Sequence, residues 1–185
     1  MDGDGADDTV TVYVDDEIWW VNITLAYGYG SSARIQDEYP FMPEALMVVD
    51  LGPPERVALA RINSGASTMF VGFFAFLDCR AVHTTIDDED GSRWWTRIAV
   101  FGSASHVDGV TCHPGGITTT SARPVDWGPE GSIPWEYYTH EYEYLPNLGH
   151  FRLIASSTTA LVWPDDQDII YSAGQFNCGD HHGPG

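Results

Sequence analysis

Three groups of side chains in this 185-residue chain have the types that chemistry uses. The first is the C-terminal set Cys178, Asp180, His181 and His182, to which Cys112-His113 adds further metal-ligand types. Zinc needs such residues at spacings that let four of them converge. No such spacing is present, and Gly183-Pro184-Gly185 offers no frame, so a metal is not expected. The second is the acidic run 87–90 before Gly91. In an EF-hand loop the glycine is sixth, which would put Ile86 at the first ligand position; a solvated turn is expected instead. The third is Glu136 with the later acids Asp165, Asp166, Asp168 and Asp180. Glycosidases set two carboxyl groups across a cleft, in surroundings that part their pKa values. After Glu143 there is no further Glu, and the later Asp residues sit in turn-like sequence.

The segment Trp135-Glu136-Tyr137-Tyr138 resembles the EYY motif of the small family-eleven xylanases, which are also similar in length. Those enzymes carry a second Glu on a late strand, which this chain lacks. A G-x-S-x-G elbow, a P-loop and a dinucleotide fingerprint are absent from the sequence, and Tyr27-Gly28-Tyr29-Gly30 reads as a flexible turn. The seven Trp and nine Tyr suit either a sugar platform or a broad core and interfaces. Asn22-Ile23-Thr24 is a lone glycosylation sequon on an expected strand. No residue is assigned as catalytic, cofactor-binding or metal-ligating, and the chain is not expected to be an enzyme.

Charge narrows the partners. Twenty-seven Asp and Glu face eight Arg, with no Lys, for a net charge of −19. Such a chain repels polyanions, so nucleic acid and anionic membrane surfaces are poor partners. The acids are dispersed over many loops, as at 15–17, 87–90 and 165–168, which one acidic site would not require. Adaptation to molar salt explains both the dispersal and the missing Lys, because ions at about 1 M screen repulsion beyond roughly 3 Å. Three cysteines, Cys79, Cys112 and Cys178, are too few for a disulfide scaffold. They read either as small buried hydrophobes or as bridges between subunits. The N-terminal MDGDGADD has neither a basic region nor an apolar core, so a Sec or Tat leader is not expected.

The elements that must position all this are strands. The chain divides into an acidic arm over 1–8, one domain over 9–177 and a mobile tail over 178–185. The uncharged run 68–77 (TMFVGFFAFL) is too short for a bilayer span and predicts a central strand buried on both faces, continuing toward His83. Further strands are predicted at 9–14, 18–27, 46–51, 56–62, 93–103, 117–121, 133–144, 151–163 and 169–176. Loops are predicted at 28–43 and 122–133, and Gly52-Pro53-Pro54 is a stop. On 133–144 the even residues Glu136, Tyr138, His140, Tyr142 and Tyr144 share one face, and neither face is cleanly apolar. An edge or interface strand is expected there. No convincing amphipathic helix appears. The fold class is all-β, a single jelly-roll sandwich of about eight to ten antiparallel strands in two sheets of about four.

Size, acidity and strand pattern over the whole length resemble the smaller major capsid protein of tailless icosahedral haloarchaeal viruses, the sphaerolipovirus group. The resemblance implies a vertical single jelly roll in pseudo-hexameric capsomers, built from copies of itself and a larger major capsid protein. It implies contacts with neighbouring capsomers and vertex proteins, and an internal viral membrane nearby with no transmembrane segment in this chain. It further implies assembly in the host cytoplasm, a place in the virion shell, and cysteines that could tie neighbours together. The alternative is a halophilic jelly-roll carbohydrate-binding module or glycoside hydrolase.

Overall fold

The computed structural model describes residues 6–52, 56–103, 105–126 and 132–179. In chain order the strands are β1 (Thr9–Asp15), β2 (Ile18–Thr24), β3 (Gly30–Arg34), β4 (Glu44–Asp50), β5 (Arg56–Ser64), β6 (Thr68–Leu77), β7 (Arg80–His83) and β8 (Thr85–Asp87). There follow β9 (Arg93–Trp95), β10 (Ile98–Ser103), β11 (His106–His113), β12 (Gly116–Pro124), β13 (Ile133–Leu145), β14 (His150–Trp163) and β15 (Phe176–Asn177). A single 3₁₀ turn covers Pro146–Leu148, and a short helix, α1, covers Gln167–Ser172. Among the described residues no helix is long and apolar enough to cross a membrane.

The protein is all-β and mainly antiparallel, in two sheets. β1-β2-β3 form the smaller one; the other twelve strands form the larger, in the order β4-β5-β6-β10-β11-β12-β13-β14-β8-β9, with β7 on β6 and β15 on β11. Two-residue hairpins with both loop residues left-handed join β1 to β2, at Asp16 and Glu17, and β6 to β7, at Asp78 and Cys79. Their twist matches that of the flanking strands, which is why such turns dominate short hairpins.

The larger sheet returns on itself. β6 pairs with β10 through Thr68–Val71 and with β7 through Phe74–Leu77. The run that begins as β7 continues as β8, which pairs with β14 at His150 and Phe151. The ring therefore closes through β6, β10, β11, β12, β13, β14 and β8/β7. At Phe73, where β6 changes neighbours, two buried threonines take over from the ladder. The Phe73 N–H donates to Thr96 Oγ1 at 2.8 Å, and the Thr84 N–H donates to the Phe73 carbonyl at 2.9 Å. The two hydroxyls lie 3.1 Å apart, and the Thr96 N–H donates to the Thr84 carbonyl. Buried backbone groups left unpaired here would each cost about 1–3 kcal/mol.

Three apolar clusters surround this ring. Its interior holds Val57, Leu59, Val71, Phe73, Val100, Val110, Ile117, Tyr142, Tyr144 and Phe151. The small sheet packs Val21, Ile23, Leu25, Ala33 and Ile35 onto the other side of β5 and β6, against Ala58, Ala60, Ile62 and Phe74. Successive residues of β5 and β6 thus enter opposite cores, as the period of two requires. The third cluster lies under α1, where Ile170 and Ala173 meet Val107, Ala122, Trp135 and Leu161.

Several expectations need correction. Fifteen strands occur among the described residues, against the eight to ten expected. The loop expected over 28–43 contains β3, because Ala33 and Ile35 bury against the small sheet's core. The run 93–103 breaks into β9 and β10 where Thr96 turns into the Phe73 fork, and 68–77 does not continue to His83 but reverses at Asp78-Cys79. β13 is interior, held between β12 and β14, not an edge. Residues 169–176, expected as strand, are largely α1 and its exit. β11 was not anticipated.

Cys112 and Cys178 are both buried and joined by a disulfide across 66 residues of sequence. Cys178, expected to begin a mobile tail, is therefore fixed, and neither residue is a free buried thiol or a bridge between subunits. Cys79 is free and exposed. At the other end, Asp8 accepts a hydrogen bond from the Ala26 N–H at 3.1 Å, which anchors the last residue of the expected arm. Residues 1–5, Pro53-Pro54, residues 127–131 of the loop expected over 122–133, and 180–185 lie outside the described residues; 122–124 of that loop belong to β12.

A methyl group on Gly72 would meet the buried His83 Nε2 at 2.8 Å and the Thr96 carbonyl at 3.2 Å. Gly72→Ala is expected to lower unfolding stability by about 1–3 kcal/mol in urea denaturation. The double change Cys112→Ser/Cys178→Ser should cost about 2–4 kcal/mol by the same measurement, and treating the native protein with reductant should reproduce that loss.

Candidate functional site

The inner faces of β11, β12 and β13 are apolar at one end of the ring and polar at the other. Cross-strand register explains the change. Val110, Cys112, Ile117, Tyr142 and Tyr144 fill the interior, whereas Asp108, Thr119, Ser121, Arg123, Glu136, Tyr138 and His140 continue the same faces outward. With the β8–β9 hairpin as the opposite wall, Asp108, Thr119, Ser121, Arg123 and His140 bound a trough of about 630 Å³, which Trp94, Trp95 and Arg97 also line and from which Glu136 and Tyr138 stand apart. A smaller recess beside it shares Ser121, Arg123, His140 and Tyr142 and adds Glu89 and Tyr138.

Asp108 is the buried charge of this site. Its carboxylate accepts from Ser121 Oγ at 2.7 Å, lies 2.7 Å from His106 Nδ1 and 3.9 Å from the Arg123 guanidinium. Ser121 thus donates its hydroxyl proton to a carboxylate, a weaker base than the imidazole that commonly activates a serine nucleophile. On β13 the Tyr138 hydroxyl donates to Glu136, and this bond raises the phenol's pKa. His140 Nε2 lies 2.7 Å from Glu89 Oε1, which also accepts from Ser156; the two hydrogen bonds hold the Glu89 carboxyl below its ordinary range. Burial pushes Tyr142 up to about 12.

The two most buried histidines are neutral scaffolding. His83 donates from Nε2 to the Thr96 carbonyl at 2.9 Å and accepts the Gln36 N–H at Nδ1, between the rings of Phe74 and Trp95. Burial lowers its pKa to about 4. His150 accepts from Thr85 at Nδ1 and pairs through Nε2 with Asp87 at 2.9 Å; burial likewise lowers its pKa, against the opposing pull of Asp87.

Of the residues singled out in the sequence, Glu136 and Tyr138 do share the inner face, while Tyr137 packs against the α1 cluster. Asp165, Asp166 and Asp168 do not line the trough. Asp166 instead closes the turn after β14, accepting the Val162 N–H at 2.7 Å. The run 87–91 forms the expected turn, with Asp88 and Asp90 accepting the Glu89 and Ser92 amides and Asp87 engaged by His150. Among the described residues no group of three His, Cys, Asp or Glu is arranged to hold a metal. Asp180, His181 and His182 lie outside those residues, and Cys178 is committed to its disulfide. Asn22 is half-buried, its amide engaged by Thr24 and Ser32. Sequence reasoning missed Asp108; the alternation of Val110 and Cys112 after a serine-rich turn was the signal available.

The trough offers hydroxyls, both signs of charge and two exposed indoles. No family model matches the chain, and neither a curated protein nor a solved structure matches it.

His83 yields a pH prediction. Its folded pKa lies below its unfolded value of 6.5, so the unfolded chain takes up a proton first as pH falls. Stability is fully present above pH 6.5 and declines toward pH 4, by about 3 kcal/mol from this residue, with His150 acting in the same direction. Urea midpoints measured from pH 7 to pH 4 should fall accordingly, and a flat profile would contradict a neutral buried His83.

Proposed function

We propose that this chain is a structural virion protein of a halophilic archaeal virus, a vertical single jelly-roll major capsid subunit. It would form pseudo-hexameric capsomers with a larger capsid protein, in a shell assembled in the host cytoplasm. The work is lattice formation, with no reaction assigned to the chain.

One observation carries the reading. The segment between β3 and β4 presents Tyr39, Phe41 and Met42 to solvent, at 75%, 57% and 58% exposure, on a chain of net charge −19. Side chains of this size, clustered and uncovered, mark a surface that another protein covers. Arg97 braces the base of the segment, 2.8 Å from Asp37 and 3.8 Å over the Phe70 ring. Arg61 adds a bond to the Met42 carbonyl. The adhesive residues are thus held on a stiff platform, which lowers the entropy lost on association.

A second reading has its own support. Trp94 and Trp95, 62% and 46% exposed, flank the polar trough in the way aromatic faces and hydroxyls bind sugars. Under it the chain is a carbohydrate-binding module, or a glycosidase acting through Glu136. A module would bind soluble oligosaccharide as a monomer and lose it on Trp95→Ala; a hydrolase would lose its turnover on Glu136→Gln.

For the capsid reading, the mass in solution is decisive. Above about 2 M salt the chain should assemble, alone or with a larger partner, and below about 1 M it should dissociate as screening weakens. Phe41→Ser should shift the distribution toward monomer without changing the fold. A wild-type monomer at every salt concentration would count against the proposal.

A further inference from the structure

We infer that the free edge of β14, over Ser156–Ala160, is a self-pairing strand that joins two copies of this chain across a two-fold axis. The inference rests on the assembly reading and names one contact within it.

β14 continues well beyond the two residues that pair with β8, so from Arg152 onward one of its edges has no strand beside it among the described residues. The direction of its backbone groups follows from the turn at its end. The Val162 N–H donates to Asp166 and the Val162 carbonyl accepts from the Asp166 N–H, so both point away from β13. The opposite residue, Pro134, agrees: it has no N–H, and its carbonyl accepts from Val125 on the far side. Alternation then turns the N–H and C=O of Ala160, Thr158 and Ser156 outward as well.

Natural edges are blunted by charge, proline, a bulge or brevity. Here residues 153–163 contain no charged residue and no proline, and the bulge of β14 falls earlier, opposite Glu141 and Tyr142. Residues 154–160 are all exposed. Charge selects the occupant. On a chain of −19, most self-contacts bring acids together, whereas residues 153–163 contribute none; the acid beside this edge, Glu89 on Ser156, is paired with His140. The residues are self-complementary too. Antiparallel pairing about Thr158 sets Ser156 against Ala160 and Thr158 against itself, all small or β-branched, with about six backbone hydrogen bonds. A two-fold contact of this kind closes on itself and adds one defined link per subunit.

Thr158→Pro removes an outward N–H while leaving the β13 ladder intact, and Thr158→Glu places two like charges at the axis. Wild type, both variants and Phe41→Ser are compared by sedimentation velocity in about 3 M salt, with circular dichroism as the fold control. Both Thr158 variants should weaken self-association about tenfold or more. The amides of Ser156, Thr158 and Ala160 should exchange slowly in wild-type oligomer and fast in the variants. Wild-type behaviour in both variants, with Phe41→Ser dissociating, overturns the edge pairing and leaves the assembly reading standing. A wild-type monomer throughout overturns both. If Thr158→Pro unfolds, Thr158→Glu and the exchange rates decide.

Discussion

A strand that changes partner halfway along must leave backbone groups without a ladder, and everything in this fold depends on how that is solved at Phe73. β6 faces β10 first and β7 afterwards. Between them, the hydroxyls of Thr84 and Thr96 supply what the missing neighbour would. Because the fork is satisfied, the chain can bend from β7 into β8 and reach β14, which closes the ring. His83, held by the Thr96 carbonyl and stacked on Phe74, ties the same point to the small sheet. Gly72 leaves the space for it.

From that fork two layers follow. β5 and β6 are buried on both sides, so their alternate residues serve the ring interior and the small sheet's core. β13 uses the same device over a greater length: Tyr142 and Tyr144 enter the ring while Trp135 and Tyr137 pack under α1. A strand with two half-apolar faces reads as an edge in sequence, yet here it divides two cores. Acids then have little room inside, and they collect in turns and at the trough. Arg61, Arg97 and Arg152 each pair with a carboxylate, but far too few arginines exist to neutralise the surplus.

Legibility in the sequence tracked the range of the forces involved. The run 68–77 announced itself because burial on both faces leaves no polar residue to break it, and its bounds match β6. The tight turns at 15–17 and 87–91 were equally plain, since local polar side chains decide them. What stayed hidden was set by distant partners. β3, with two serines and an arginine in five residues, is a strand only because β2 lies beside it. Residues 169–176 have strand-like composition, but Ile170 and Ala173 find their core through a helical turn. Of the site, Glu136 and Tyr138 were placed on the correct face. Asp108 was not, because a glycine follows it and obscures the alternation. That glycine is required: a Cβ on Gly109 would lie 2.1 Å from the Ala173 carbonyl, where the chain after α1 crosses β11. The disulfide was illegible for a similar reason, as 66 residues separate partners that only the completed ring brings together.

That covalent bond also decides how the protein bears load. A pull applied beyond Gly179 passes through Cys178 directly into β11, in the wall of the ring, and bypasses the whole stretch between the two sulfurs. α1 and β13–β14 are thereby relieved of tension. β11 in turn is held between β10 and β12, with β15 paired to it as well.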